Sequence, residues 1–557
     1  MDTKPLTATL SVAAQITPQD LKTLREAGFR SVICNRPDGE GADQPSFDEI
    51  ARAAHEQGLH CRYLPAESGK VTDAQAADFG ALMAELPRPV LAYCRTGMRS
   101  TTMWALSQAA EQPLAQIIER AAGAGYDLKG VLRRIVNGGR TPVEVADATH
   151  DIVIVGGGAA GIAVASSLLA RSPRLDIAII DPADIHDYQP GWTLVGGGVF
   201  KPATTARTMA SVLPQGVHWI KSAVAAFEPE RDAVILDGCR VVKYKQLVVC
   251  PGLKLDWHGI EGLTDTLGRN GVTSNYRYDL APYTWHLVQQ LHRGRAIFSQ
   301  PPMPIKCAGA PQKAMYLSAD HWRRQGVLGA IDIQFCSAGP VLFGVPDYVP
   351  ALMAYVQAYG IHLNFGQTLV SVDGPARKAV FSQAQPDGSK TLVTREFDML
   401  HAVPPQKAPD FIRISPLADA AGWIDVDPAT LRHKRHANVY GLGDGTNTPN
   451  AKTAAAARKQ APVVAHNLLA GLGSAGAKGE ARYDGYGSCP LTVARGKIVL
   501  AEFAYGGKLA PSLPTWLIDG KRPSALAWYL KERILPPLYW DGMLKGREWL
   551  AQPEMVG

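Results

Sequence analysis

The sequence predicts an α/β protein built from several domains. Its 557 residues exceed a single ordinary core, and roughly 150 residues per domain suggests three or four units. Up to about residue 140, short buried strands alternate with helical stretches. A stronger β-α-β pattern begins at Asp151, and a chemically different tail follows beyond residue 475. Alternation of this kind predicts α/β layers rather than a bundle or a sandwich.

Four regions follow from these changes of pattern. Residues 137–150 mix turn residues with weak periodicity, which favours a linker near this point. We therefore expect a first domain over residues 1–140, a linker over 141–150, a two-part domain over 151–475 and a C-terminal region over 476–557. Within the two-part domain, residues 151–258 and 420–475 form one half and residues 259–419 the other.

Composition and charge exclude several classes of protein. The net charge is +6 and Lys and Arg form no dense run, which argues against a nucleic-acid partner. The eight cysteines include no C-x-x-C pair, so neither a metal site nor a disulfide framework is indicated. The N-terminus has no export signal and no run of about 18 apolar residues occurs. We therefore expect a cytoplasmic protein without a membrane-spanning helix.

The first domain contains a reactive cysteine loop. We expect helices over residues 18–27 and 47–57, and strands over residues 31–34 and 90–94. The second strand leads into Cys94-Arg95-Thr96-Gly97-Met98-Arg99-Ser100 and then a helix over residues 101–109. Backbone N–H groups in such a turn converge above the sulfur, and the helix dipole with Arg95 and Arg99 favours a thiolate. The loop therefore predicts a sulfur nucleophile that faces an anion.

The β-α-β pattern carries a glycine motif in its usual context. A strand over residues 151–155 precedes Gly156-Gly157-Gly158-Ala159-Ala160-Gly161, and a helix follows over residues 162–170. Gly156 permits a tight turn, Gly158 lets the backbone approach a pyrophosphate, and Gly161 lets the helix pack on the strand. The N–H groups of Ala159 and Ala160 open the helix toward the phosphates. Asp181 ends the next strand, twenty residues beyond Gly161, where a carboxylate binds a ribose hydroxyl.

A distant segment identifies the dinucleotide. Residues 438–444 form a short strand that ends at Gly443 and Asp444. This segment resembles the second flavin motif of two-dinucleotide-domain flavoproteins, in which the Asp bonds the ribityl chain. The resemblance implies FAD, a tandem Rossmann-like fold and a core position for Cys250. Residues 295–345 lack a second glycine fingerprint and the chain lacks a redox cysteine pair, so neither NADH reduction nor disulfide reductase activity is expected.

Longer segments resemble one family, the mitochondrial-type sulfide:quinone oxidoreductases. The segments are residues 188–196, 306–313, 452–456, 487–491 and 500–503, and the likeness runs from about residue 151 to residue 550. It implies an enzyme that oxidises sulfide, holds the sulfane sulfur on a cysteine and passes two electrons through FAD to quinone. Cys307 is then the flavin-facing cysteine, with Lys306 next to it favouring the thiolate. Gln189 and Lys452 then belong to the cofactor-binding residues.

One position departs from that family. Its second catalytic cysteine directly follows the Asp of the Gly-Asp motif, whereas Gly445 follows Asp444 here. Either Cys336 or another thiol substitutes, or Cys307 works alone with a mobile thiol acceptor, or the substrate is a persulfide or another reduced sulfur compound. A redox sensor that binds FAD without catalysis is a further possibility. The sequence leaves these alternatives open.

The Cys94 loop resembles the active loop of rhodaneses, Cys-Arg-x-Gly-x-Arg. Residues 33–38 look like a phosphatase-like domain found beside sulfur enzymes. The two resemblances imply a phosphatase-like scaffold with a sulfurtransferase-type loop, in which Cys94 carries a persulfide and the arginines hold thiosulfate, sulfite or another anionic partner. The expected sulfur acceptor is a small thiol or sulfite. Cysteine phosphatases place an arginine six positions after the nucleophile, whereas Arg99 lies five positions after Cys94. Phosphatase activity remains the alternative.

The tail contains an amphipathic aromatic segment. Residues 524–540 combine apolar residues, Trp and Tyr with flanking Lys and Arg, which is typical of a membrane-interface segment. The same pattern fits a helix packed on the protein body. Because a quinone is lipid-soluble, the family resemblance favours peripheral attachment to the inner face of the cell membrane.

Overall fold

The computed structural model describes residues 2–41, 44–142, 146–474 and 476–556. The chain separates into two compact units. The first consists of Met1–Thr149, Ala223–Lys243 and Ile414–Pro416, and the second of His150–Ser222, Tyr244–Arg413 and Leu417–Gly557. Residues 143–145 of the predicted linker, and residue 475 at the predicted end of the two-part domain, lie outside the described residues.

The first unit is built on a five-stranded sheet. Its strands lie in the order Thr3–Thr7, Leu10–Ala13, Val90–Tyr93, Ser31–Cys34 and His60–Tyr63. The first two strands are antiparallel and the other neighbours are parallel. Val90–Tyr93 is buried along its whole length, as expected for a central parallel strand. Its C-terminal end delivers Cys94 to the edge of the sheet where parallel α/β folds bind ligands.

Helices cover this sheet. They span Asp20–Glu26, Phe47–Glu56, Asp73–Glu85, Met98–Gln108, Leu114–Gly123 and Leu132–Val136. Ser46 and Glu49 form a reciprocal capping box that fixes the start of the second helix. The helix after the Cys94 loop begins at Met98 rather than at the predicted residue 101, because Gly97 adopts a φ of 91° and turns the chain directly into the helix. The unit also contains the antiparallel strands Val224–Glu228 and Ala233–Leu236.

The second unit contains two Rossmann-like sheets. The first sheet orders Val217–Ile220, Ile177–Ile180, Ala146–Val155, Val241–Val249 and Val439–Gly441 side by side. Helices Ala159–Arg171 and Ala454–Gly471 belong to the same hydrophobic core as this sheet. Small residues on both helices allow close approach, since Ala160, Ala163, Ala461 and Ala465 are all buried there.

The other sheet is parallel and orders Val272–Thr273, Met399–His401, Gly294–Gln300, Ile331–Ser337 and His362–Phe365. Helices Ala281–Gln290, Ala310–Arg324 and Val349–Ala358 accompany it, together with the antiparallel strands Gln367–Asp373, Lys378–Ala384 and Lys390–Glu396. The strands Gly487–Ala494 and Lys497–Phe503 of the C-terminal region form a hairpin whose apolar side chains enter the core of this sheet. The predicted α/β class and the tandem Rossmann-like arrangement are therefore confirmed.

The tail contains a helical stretch, which is followed by the short strand Glu554–Val556. The helical stretch begins with Ala525–Tyr529 and continues through Leu530–Ile534, Leu535–Pro537 and Leu538–Gly542 to Met543–Lys545. Ala527, Trp528, Tyr539 and Trp540 are buried, whereas Leu526, Tyr529 and Ile534 are exposed. In the described part of the chain, every helix is too short or too polar to cross a membrane.

Candidate active site

Three glycines of the 156–161 motif differ in the space available for a side chain. A Cβ atom at Gly161 would lie 1.9 Å from the carbonyl oxygen of Gly156, and one at Gly156 would lie 2.5 Å from the carbonyl oxygen of Cys250. A Cβ at Gly158 would meet nothing within 4 Å. Gly156 and Gly161 are therefore required by packing inside the protein, and Gly158 borders open space at the start of helix Ala159–Arg171. Cys250 is buried against this turn and is a core cysteine, as predicted.

The two dinucleotide motifs meet at this loop. A Cβ at Gly443 would lie 3.4 Å from the Cβ of Ala160, so the Gly443–Asp444 turn borders the first helical turn. Asp181 accepts hydrogen bonds from the N–H groups of Gly157 at 2.6 Å and Ala183 at 2.8 Å. Asp444 accepts none from any described residue, and burial raises the pKa of its carboxyl although Lys452 and Lys306 lie nearby. A half-buried carboxylate with unused acceptors suits the hydroxyl groups of a ligand.

Two lysines, Lys306 and Lys452, lie near the Asp444 carboxylate. The ammonium of Lys306 donates to the side-chain oxygen of Gln189 at 2.6 Å. Lys452 is buried and donates to the carbonyl oxygen of Thr446 at 2.8 Å. Burial lowers the pKa of Lys452 to about 8. The backbone of Lys452 also positions Cys307, because the Lys452 carbonyl oxygen accepts a hydrogen bond from the Cys307 N–H at 2.8 Å.

Cys307 lies just before the N-terminus of helix Ala310–Arg324. Its sulfur accepts a hydrogen bond from the ammonium of Lys313 at 3.2 Å. A hydrogen bond from Cys489 and the charge of Lys313 hold the pKa of the Cys307 thiol well below its ordinary value, although burial opposes this. Burial works against the charge on Lys313 as well, but the adjacent sulfur outweighs it and raises the pKa of that lysine. The geometry gives the negative form of the half-buried Cys307 sulfur its own counter-ion.

Two residues of this pocket were missed in the sequence. The Cys489 sulfur lies 3.8 Å from the Cys307 sulfur, although 182 residues separate them in the chain. Lys531, from the C-terminal helical stretch, donates to the carbonyl oxygen of Pro190 at 3.0 Å. Burial, then the charge of Lys313, lowers the pKa of Lys531 to about 7. Both residues lie in segments with a recognised sequence pattern, 487–491 and 524–540. No local pattern placed either of them beside Cys307, because only the tertiary fold brings them there.

Two expectations about sulfur are refined. Lys306 was expected to favour the Cys307 thiolate, and the charges of the two groups do attract each other. The Lys306 ammonium bonds to Gln189, however, and the lysine that bonds the sulfur is Lys313. Cys336 was one candidate for a second thiol, but it is fully buried in a separate hydrophobic cluster with Ile260, Ile297 and Leu400. Burial raises the pKa of Cys336 to about 12. The thiol that contacts Cys307 is Cys489.

The first unit holds its own cysteine site. The Cys94 sulfur accepts the N–H of Gly97 at 3.1 Å. The Tyr126 hydroxyl donates to the carbonyl oxygen of Thr96 at 3.1 Å, and a Cβ at Gly97 would lie 2.0 Å from that hydroxyl. The loop is therefore tightly packed from one side. Arg95 and Thr96 are exposed on the other.

The two arginines of this loop differ in their partners. Arg99 is buried and makes two hydrogen bonds to Glu40, at 2.9 and 2.7 Å, and one to the carbonyl oxygen of Ala66 at 2.7 Å. The hydrogen bond from Arg99 lowers the pKa of Glu40. Arg36 joins the same carboxylate at 2.8 Å. Arg99 is thus a fixed cation near Cys94, and Arg95 is an exposed one.

The second unit fits FAD. Gly158 leaves room for a pyrophosphate at a helix N-terminus, and Asp181 and Asp444 offer carboxylate oxygens to hydroxyl groups. Near Gln189, the indole N–H of Trp192 and the hydroxyl of Thr193 are buried without a hydrogen-bond partner among the described residues. Buried polar groups of this kind are expected where a polar ligand completes the site.

Comparison with known proteins agrees with this geometry. A family model of pyridine nucleotide-disulphide oxidoreductases matches residues 150–291. The crystal structure of the sulfide:quinone oxidoreductase from Aquifex aeolicus superimposes with a TM-score of 0.58 at 18% identity, covering 71% of this chain and 92% of that one. The two proteins therefore share a fold. Fold and site together define an FAD-binding oxidoreductase of the two-dinucleotide-domain class.

A closer relative identifies the family. The mitochondrial sulfide:quinone oxidoreductase of Dictyostelium discoideum is 42% identical over 404 residues, which cover 72% of this chain and 87% of that protein. The chain belongs to the sulfide:quinone oxidoreductase family. The predicted family, flavoprotein fold and FAD cofactor are confirmed.

The N-terminal unit has relatives of another kind. The phosphatase-like domain model of beta-lactamase hydrolase-like proteins matches residues 2–111. The beta-lactamase hydrolase-like protein of Agrobacterium fabrum is 32% identical over 126 residues, which are 22% of this chain and 29% of that protein. The phosphatase-like scaffold is therefore confirmed, and the sulfurtransferase activity of its loop stays a prediction.

Two glycine substitutions separate folding from cofactor binding. Gly161→Ala introduces a clash with backbone and should destabilise the protein by roughly 1–3 kcal/mol. Gly158→Ala meets only open space in the protein, so the apoprotein should melt within about 1 °C of the unsubstituted chain while flavin content falls. Thermal melting of apoprotein and flavin absorbance of purified holoprotein measure the two effects. A stable, fully flavinated Gly161→Ala protein would contradict the packing argument.

A lysine substitution tests the counter-ion of Cys307. Lys313→Met removes the charge at the sulfur and should raise the pKa of the thiol, so alkylation of Cys307 near neutral pH should slow at least tenfold, about one pKa unit. Lys306→Met is the matched control and should change the rate much less, because that ammonium bonds to Gln189. Alkylation of the Cys307 peptide is followed by mass spectrometry across a pH series. Equal effects of both substitutions would contradict the assignment.

Proposed function

We propose that the chain oxidises sulfide to sulfane sulfur in the pocket that contains Cys307 and passes the electron pair to quinone. One observation carries the proposal: in the FAD-binding unit, the Cys307 sulfur accepts a hydrogen bond from the Lys313 ammonium at 3.2 Å. In stoichiometric form, a cysteine thiol, HS⁻, H⁺ and quinone give a cysteine persulfide and quinol. When bound, FAD supplies the route by which two electrons leave sulfur and reach the quinone.

The residues of the pocket have separate tasks in this reaction. Lys313 stabilises negative sulfur on Cys307, which is the nucleophilic form. Asp444 offers its free carboxylate oxygens to the ribityl hydroxyls, and Asp181 does the same for the ribose. Gly158 gives the pyrophosphate access to the backbone N–H groups of Ala159 and Ala160.

We also propose that the tail meets a membrane surface, where quinone dissolves. Support comes from large apolar side chains that lie exposed in the C-terminal region: Leu509, Trp516, Leu517, Leu526, Tyr529 and Ile534. Trp516 is 83% exposed, which is uncommon for an indole without a partner. Lys521, Arg522 and Arg533 lie within the same part of the sequence and suit anionic headgroups.

Anaerobic reduction by sulfide tests the proposed oxidation. In the intact holoprotein, sulfide should bleach the visible flavin band and a quinone analogue should restore it. Cys307→Ser should slow the bleaching more than about 100-fold, as expected for loss of a nucleophile. Cys336→Ala is the control, because Cys336 is buried in a different cluster and should leave the rate unchanged. If sulfide fails to bleach the intact flavin, the substrate is another sulfur compound, and persulfides and thiosulfate are tried next.

For the first unit we propose sulfur transfer through a Cys94 persulfide. The fixed cation Arg99, the exposed Arg95 and the N–H of Gly97 support binding of an anionic sulfur donor such as thiosulfate. The unit would take up or hand on the sulfane sulfur made in the second unit. Phosphatase activity is the competing proposal, supported by the phosphatase-like scaffold.

Parallel assays on the full chain decide between these activities. Thiosulfate-to-cyanide sulfur transfer should be present and should be abolished by Cys94→Ala, while phosphate release from an aryl phosphate stays at background. Cys61→Ala is the control, since that cysteine sits on the edge strand His60–Tyr63 and not in the loop. Phosphate release that requires Cys94, without sulfur transfer, would establish the phosphatase instead.

A further inference from the structure

Two sulfur atoms in the second unit are in contact. Cys307 belongs to the loop before helix Ala310–Arg324, and Cys489 belongs to the strand Gly487–Ala494 of the C-terminal hairpin. Their sulfurs are 3.8 Å apart, and both thiols are free. Gly309 makes the approach possible, because a Cβ there would lie 2.6 Å from the Cys489 sulfur. Closing the gap to a disulfide length of about 2.05 Å requires a side-chain shift of less than 2 Å or so.

The surroundings make the two sulfurs unequal. Lys313 bonds the Cys307 sulfur at 3.2 Å and stabilises negative charge there. The hydrogen bond between the sulfurs, together with burial, raises the pKa of the Cys489 thiol well above its ordinary value, while the same contact lowers the pKa of Cys307. The sulfur–sulfur contact and the Lys313 ammonium therefore both favour negative charge on Cys307 over Cys489. A thiolate in van der Waals contact with a second sulfur is the arrangement from which disulfides form and open.

We propose that Cys307 and Cys489 form a redox-active dithiol pair, in which Cys489 carries the sulfane sulfur and Cys307 is the thiolate that is released. This inference rests on the proposed oxidation of sulfide and names the second thiol of that reaction. It assigns a catalytic role to a cysteine of the C-terminal hairpin, which lies outside both glycine motifs.

The steps balance in atoms and electrons. In the first, the Cys307 thiolate and the Cys489 thiol form a disulfide, one proton is released, and two electrons leave for quinone, the oxidant of the proposed function. In the second, HS⁻ attacks the Cys489 sulfur: a new sulfur–sulfur bond forms, the disulfide bond breaks, and its electron pair stays on Cys307 as the thiolate. In the third, an acceptor thiolate or sulfite attacks the outer sulfur and leaves Cys489 as thiolate, which regains a proton.

Leaving-group chemistry sets the direction of the second step. In thiol–disulfide exchange the sulfur that better tolerates negative charge leaves. Lys313 contacts Cys307, and the N-terminus of helix Ala310–Arg324 faces the same loop. Cys307 is therefore the preferred leaving thiolate, and the incoming sulfur is retained on Cys489.

Cysteine mapping in the intact holoprotein tests the pair without any substitution. The protein is first reduced or oxidised by quinone, and is then denatured and alkylated. The reduced chain should offer eight thiols for alkylation. The oxidised chain should offer six, because Cys307 and Cys489 appear as one cross-linked peptide. After anaerobic sulfide, the Cys489 peptide should gain the mass of one sulfur atom and Cys307 should again be alkylated. A sulfur gained on the Cys307 peptide would overturn the assigned direction.

Matched variants add a second readout. Cys489→Ala and Cys489→Ser should keep FAD and melt close to the intact protein, but lose the cross-link and slow flavin bleaching by sulfide more than about 100-fold. Cys336→Ala should keep both. If sulfide bleaches the intact flavin while all eight thiols remain alkylatable after oxidation, Cys307 and Cys489 are not a redox pair, and the proposed oxidation of sulfide stands. If sulfide never bleaches the intact flavin although the cross-link forms, the proposed oxidation is wrong and the dithiol pair stands.

Discussion

The contact between the Lys313 ammonium and the Cys307 sulfur is the interaction on which the site depends. Either charge alone would be costly at this depth, and together they offset much of that cost. The same loop has a strained backbone, since Cys307 has a φ of 48°, a left-handed conformation that costs a non-glycine residue about 1–2 kcal/mol. Two backbone hydrogen bonds fix that conformation, from the Cys307 N–H to Lys452 and from the Ala310 N–H to the Cys307 carbonyl. Strain and charge are thus confined to the Cys307 loop, whose fixed conformation determines the position of the Cys307 sulfur.

The protonation of a second lysine, Lys531, depends on the charge of Cys307. Lys531 arrives from the C-terminal helical stretch and has a pKa near 7, because it is buried and lies near Lys313. While Cys307 is a thiolate, its negative charge favours the protonated form of Lys531. Consumption of that thiolate in a disulfide leaves two buried ammonium groups facing each other, which favours loss of a proton from Lys531. The segment with the exposed apolar residues therefore also carries a group that can respond to the sulfur chemistry.

The sequence predicted those parts of the molecule whose chemistry is local. The strand Ser31–Cys34 has its predicted bounds, and the glycine motif and Asp181 follow their strands as the β-α-β pattern predicted. The Gly443–Asp444 turn, expected from its resemblance to a flavin motif, lies beside the glycine motif. Prediction failed where neighbours in space are distant in the chain. Lys306 is adjacent to Cys307 in sequence but points to Gln189, whereas Lys313 lies one helical turn inside helix Ala310–Arg324 and returns to the sulfur. Cys489 and Lys531 lie in segments with a recognised pattern, but nothing in those patterns predicted contact with Cys307, because hairpin packing and the helical tail decide their positions.

Burial constrains how sulfur can move between the two units. Cys94 is 1% exposed and Cys489 is 3% exposed, so neither residue is open to solvent. A sulfur carrier must therefore be small to reach either cysteine. A small anion can reach both, and sulfite meets the chemical requirement: it removes the outer sulfur of a persulfide as thiosulfate, and a thiolate such as Cys94 can take that sulfur and regenerate sulfite. Under the proposed functions, covalent fusion raises the effective concentration of one cysteine site with respect to the other. Arg99 and Arg95 give the first unit the positive charge that attracts the anionic carrier.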